Sequence, residues 1–115
     1  MLIVTIYVVL LLSAVPVHVT KMLIEPHAEK YVYKAGENII LDCLAKGNPQ
    51  PKYSWYFRPM GDNLKESKLV TEPRYRIINA QASDEGVYNC TVTNDVNGTL
   101  YIDSKTIYIK IKGEF

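Results

Sequence analysis

Hydrophobic and polar positions alternate along most of this chain with the two-residue period of β-strands, and turn-forming residues separate the alternating runs. The final run is the clearest. In it Ile107, Ile109 and Ile111 alternate with Thr106, Tyr108 and Lys110, which buries one face of a strand running from Tyr101 to Lys112 and leaves the other wet. Asn38-Ile39-Ile40-Leu41-Asp42-Cys43-Leu44-Ala45 predicts a strand entered from the turn Ala35-Gly36-Glu37, and Val87 to Thr93 predicts another. In the run Lys52 to Arg58, parity puts Tyr53 and Trp55 on one face. Lys21 to Glu25 predicts a first strand ended by Pro26, which cannot donate to a ladder, and Tyr31 to Lys34 continues it after a kink. Arg74 to Ala80 predicts the strand before a corner at Ala82 to Gly86. Turn residues fill Gly47 to Pro51 and Pro59 to Asn63, and Thr93 to Leu100 joins the last two strands. Within that joint, Asn97-Gly98 is a tight-turn signal because both residues accept positive φ. The pattern predicts an all-β chain.

The beginning differs. Residues 1 to 20 contain no Asp, Glu, Lys or Arg, and Met1 to Leu12 is almost unbroken Leu, Ile and Val. An apolar block of this size has the dimensions of a secretory leader and falls short of the roughly 20 residues needed to span a bilayer. The boundaries expected are a signal peptide over 1–20 and one domain over 21–115, with small residues suited to cleavage at Ser13, Ala14 and Thr20. The alternative is an uncleaved anchor that tethers the protein to a membrane. A buried core strand here is not expected, because the domain pattern is complete without it. After Lys112 no hydrophobic tail follows, so no transmembrane helix is expected apart from the leader.

The only two cysteines, Cys43 and Cys90, stand central in two strand-like runs far apart in sequence, which suits a bridge between two sheets. Two free, buried thiols are the alternative, which an exported chain disfavours. Trp55, the only tryptophan, comes twelve residues after Cys43, and Tyr88 shares the face of Cys90 two residues on. With Asp84-x-Gly86-x-Tyr88-x-Cys90, this constellation resembles an immunoglobulin domain, and Cys43 to Pro51 together with Arg76 to Gln81 is similar to that family's intermediate, I-set type. The resemblance covers about residues 30 to 111. It implies a Greek-key β-sandwich of seven or eight strands in two antiparallel sheets, bridged by Cys43–Cys90, with Trp55 packed on the bridge. It also implies that Asp84 pairs with an arginine, Arg74 or Arg76. The 28 positions 56–83 leave room for one short edge strand or two, too few for the extra strand pair of a variable-type domain.

Chemistry adds little. Charges nearly balance, 13 basic against 12 acidic, which gives a polyanion no general pull, so no nucleic-acid partner is expected. His18 lies in the leader and His27 beside Pro26, so neither stands near a nucleophile or a second ligand; no catalytic group, metal or cofactor is expected. Asp84 and Glu85 are neighbours in a turn and point apart, and Gly86 and Gly98 read as turn glycines. Asn89-Cys90-Thr91 and Asn97-Gly98-Thr99 are glycosylation sequons.

By parity, one outer sheet face carries Ser54, Tyr56, Arg58, Asn89, Thr91, Thr93, Thr106, Tyr108 and Lys110. Tyr56, Arg58 and Tyr108 are residue types enriched in protein interfaces. The alternative is that Tyr56 and Tyr108 form a cross-strand pair worth up to about 1 kcal/mol. A glycan at Asn89 would shift binding to loops around Asn48 and Asn94. The expectation is a non-enzymatic, secreted or extracellular recognition module of the adhesion or receptor-ligand kind, binding a cell-surface protein or its own copy. A spacer domain of a larger extracellular protein is the second expectation.

Overall fold

A computed structural model describes residues 13–61 and 65–113; Met1 to Leu12 of the expected leader and part of the turn ending at Asn63 lie outside them. The strands are β1 (Val15–Glu25), β2 (Val32–Lys34), β3 (Ile39–Asn48), β4 (Lys52–Pro59), β5 (Ser67–Lys68), β6 (Arg74–Ile77), β7 (Gly86–Val96) and β8 (Thr99–Lys112). They form a three-stranded sheet, β1-β3-β6, facing a five-stranded sheet, β2-β8-β7-β4-β5. All pairs are antiparallel except β2 with β8, which run parallel. Among the described residues no strand stands between β5 and β6, so one short edge strand fills the gap.

Alternation along the strands builds the core. Ile39, Leu41 and Cys43 from β3 face Trp55 from β4, Tyr88, Cys90 and Val92 from β7 and Ile107, Ile109 and Ile111 from β8, all buried. The Cys43–Cys90 bridge joins the sheets with its Cα atoms 6.4 Å apart. Trp55 lies opposite Cys90 in the β4–β7 register and is fully enclosed. Its indole N–H donates to the Pro73 carbonyl at 3.0 Å, which meets the requirement of a buried donor.

The corner before β7 is closed by Tyr88, whose hydroxyl donates to the Asp84 carbonyl at 2.5 Å. Burial first, then the nearby Asp84 and Tyr75, raise the Tyr88 phenol well above its ordinary range, so it remains a donor. The Asp84 carboxylate accepts the Gln81 N–H at 2.8 Å, and among the described residues no arginine pairs with it. Arg74 lies opposite Asp42 in the β3–β6 register and donates to both its oxygens at 2.7 and 2.9 Å. Arg76 is opposite Ile40. Gly86 is a strand residue, not a turn residue. A Cβ there would strike the backbone carbonyl of Arg58 and come within 2.8 Å of the Phe57 ring and 3.0 Å of Pro59 Cα, all on β4.

The first strand departs most from expectation. It begins at Val15, six residues before Lys21 and inside the segment assigned to the leader, and Val17 and Val19 are buried in the core. A register shift between Val19 and Lys21 moves the inward positions from Val17 and Val19 to Met22 and Ile24. His18 is therefore a β1 residue, with Nδ1 3.2 Å from the Asp103 carboxylate. Asn94, expected in a loop, lies in β7 and is the one buried polar residue among those described.

Candidate functional site

The five-stranded sheet turns one face to the core and the other outward. Its register sets the outer face in rows across β4, β7 and β8: Arg58, Val87 and Tyr108; Tyr56, Asn89 and Thr106; Ser54, Thr91 and Ser104; Lys52, Thr93 and Ile102. Beyond them Asp95 lies opposite Leu100. Tyr56, Arg58 and Tyr108 thus share a face, as parity predicts. The alternative of a direct Tyr56–Tyr108 pair fails, because β7 lies between their strands and the two residues occupy adjacent rows.

Tyr108 is 40% exposed, Arg58 is exposed and Tyr56 half-buried. The Tyr108 hydroxyl donates to Glu85 Oε2 at 3.1 Å, while Glu85 Oε1 accepts the Ile111 N–H at 2.9 Å. Desolvation and then this carboxylate raise the Tyr108 phenol above its ordinary range, which keeps it a neutral donor. Asp84 and Glu85 are therefore both committed to backbone and tyrosine donors rather than poised as an acid and a base.

Two residues that sequence reasoning left off the face extend it. Leu100 and Ile102 are 58% and 62% exposed, and both have the parity of Thr106 and Tyr108. Counting back by twos from Tyr108 reaches them. Large apolar side chains left in water on the face of Tyr108, at its other end about 20 Å along β8, make this a surface suited to a partner.

The sequons occupy different settings. Asn97 and Gly98 hold φ of +53° and +83° in the two-residue turn between β7 and β8, where Asn97 is exposed. Asn89 is half-buried in the second row, and its Oδ1 accepts the Thr91 hydroxyl at 3.1 Å. Among the described residues no group of three or more His, Cys, Asp or Glu could hold a metal ion. His27 is exposed. No helix among them is long and apolar enough to cross a membrane.

The chain's similarities agree with this architecture. The family model described as "Immunoglobulin domain" matches residues 21–94. Neuroglian of Drosophila melanogaster is 34% identical over 83 residues, 68% of this chain and 6% of the relative. "Cell adhesion molecule-related/down-regulated by oncogenes" of Xenopus laevis is 25% identical over 99 residues, 82% of this chain and 8% of the relative. The chain thus spans less than a tenth of the length of either. Among solved structures, Dpr2 Ig1-Ig2 in complex with DIP-Theta Ig1-Ig3 superposes with a TM-score of 0.60 at 23% identity, covering 85% of this chain and 32% of that one.

Proposed function

The chain belongs to the immunoglobulin domain family, and from that membership we propose that it is a non-enzymatic extracellular recognition module. It contacts a cell-surface protein, a second copy of itself among the candidates, through the outer face of its five-stranded sheet. One observation carries the reading: the same strands commit their motif residues to the core and leave a mixed aromatic, cationic and apolar set outside. Cys43, Trp55, Gly86, Tyr88 and Cys90 are buried. Tyr56, Arg58, Leu100, Ile102 and Tyr108 lie on the opposite side of the sheet. Function then resides on the outer surface, as it does wherever one fold serves many partners. The adhesion named in the Xenopus relative's description supports a protein ligand.

The test is a multimerised, secreted form screened against arrayed cell-surface ectodomains, with the chain itself on the array. The native protein captures a discrete partner. Tyr56→Ala with Tyr108→Ala weakens capture by at least about tenfold, the loss expected of interface tyrosines, while the variant keeps its cooperative unfolding. Undiminished capture by that variant overturns the assignment of the face.

A second reading, a spacer domain of a larger extracellular protein, is favoured by the small share of each relative that the chain covers. It gains if no arrayed ectodomain is captured.

We place an N-glycan at Asn97, whose exposed turn leaves the side chain open, and none at Asn89, which the sheet and Thr91 partly enclose. Asn97→Gln then removes the mass lost on enzymatic deglycosylation of the secreted protein, and Asn89→Gln leaves it. The reverse pattern would put a sugar over the recognition face.

A further inference from the structure

We propose that the export leader ends beside Ala14, with cleavage after Ser13 or Ala14, and that Val15 to Thr20 belong to the mature domain. This rests on the reading of the chain as exported. Three small residues in this region suit the position before a cut: Ser13, Ala14 and Thr20. Export cleavage acts on the nascent, unfolded chain, so the choice turns on what the folded domain must retain.

It must retain the first half of β1. Val17 and Val19 are 8% and 1% exposed within the same core as Trp55 and the disulfide. Asn94 is 4% exposed, and its amide is satisfied chiefly by this segment. Its Oδ1 accepts the Val17 N–H at 3.0 Å, and its Nδ2 donates to the carbonyls of Val15 at 2.8 Å and Pro49 at 3.1 Å. Asp103 accepts the Val19 N–H at 2.8 Å, and the Thr20 hydroxyl donates to the Leu44 carbonyl at 3.1 Å. A cut after Thr20 would remove two core valines and leave a buried carboxamide oxygen without its donor, a costly state for a polar group out of water. A cut beside Ala14 removes none of these contacts. Ser13 and Ala14 are exposed and precede the strand. Asn48, whose Nδ2 donates to the Ser13 carbonyl at 2.8 Å, is itself exposed and turns to water when that carbonyl leaves.

The test uses the full chain expressed in a secretory eukaryotic cell, with the first residue of the medium protein read by mass spectrometry after deglycosylation. A first residue of Ala14 or Val15 is expected. A secreted, disulfide-bridged protein beginning at Lys21 overturns the boundary and leaves the export reading intact. Retention in the cell with Met1 in place overturns the export reading as well. Ser13→Arg with Ala14→Arg lowers the processed form by at least tenfold, whereas Thr20→Arg leaves the first residue where it was. The opposite response would assign the cut to Thr20.

Discussion

Replacing both Cys43 and Cys90 with alanine lowers the free energy of unfolding by about 4 kcal/mol. The two residues are 47 positions apart, and in the chain-entropy model opening a loop of that length returns roughly this much freedom to the unfolded chain. Both sulfurs also lie in a fully buried core, so the double substitution leaves a small void that adds to the loss. Domains of this size hold only about 5–15 kcal/mol in all. A domain at the low end of that range would then stand close to its unfolding midpoint without the bridge. Urea titration of the two proteins, read by Trp55 fluorescence, gives the difference directly. A loss below about 1 kcal/mol would mean that the bridge does not carry the stability assigned to it.

The second large effect is at Gly86. Gly86→Ala destabilises the domain by about 3 kcal/mol, the upper range for forcing extra volume into a packed region. The new methyl would meet the Arg58 carbonyl, the Phe57 ring and Pro59 Cα together, and two of these three are backbone. Strands β4 and β7 are paired from Lys52–Thr93 to Pro59–Gly86, so neither withdraws without breaking ladder bonds. Gly98 supplies the comparison. Its φ is +83°, but a Cβ there meets nothing within 4 Å, so Gly98→Ala pays only left-handed strain of about 1 kcal/mol. Thermal unfolding of both variants separates the causes. Equal losses at the two glycines would contradict close approach of the strands as the reason for Gly86.

Where the chain alternates without interruption, the fold was legible. Cys43, Trp55, Tyr88 and Cys90 sit at fixed parity in strands, and a two-residue period puts them in one core whatever their loops do. The same parity placed Tyr56, Arg58 and Tyr108 on one outer face. The first half of β1 was hidden because a register shift between Val19 and Lys21 breaks the period. On either side of it Val17 and Val19, then Met22 and Ile24, read as separate runs. The absence of charge before Lys21 groups the earlier run with the apolar block that reads as a leader.

Partners distant in sequence were the other limit. Asn94 is buried because the backbone of Val15 and Val17, 79 and 77 positions away, and of Pro49 fills its hydrogen bonds. A polar residue near a turn carries no local mark of that. Arg74 goes to Asp42 rather than Asp84 because the β3–β6 register sets it there, and spacing from the Asp84 corner does not fix a register. Leu100 and Ile102 were within reach of the sequence. They share the parity of Thr106, three and two steps of the alternation earlier on the same strand.

Whether the outer face of the five-stranded sheet is the recognition surface is tested most directly by placing a glycan on it. Ile102→Asn completes a sequon with Asp103 and Ser104 and sets a sugar on the face, at a position 62% exposed. Leu44→Asn with Lys46→Thr sets one on the opposite sheet, where both residues are exposed. Binding of each glycosylated form to the captured partner is then compared with the native protein. The proposed face predicts loss of binding for the first and native binding for the second. Native binding with the sugar at position 102 would contradict it.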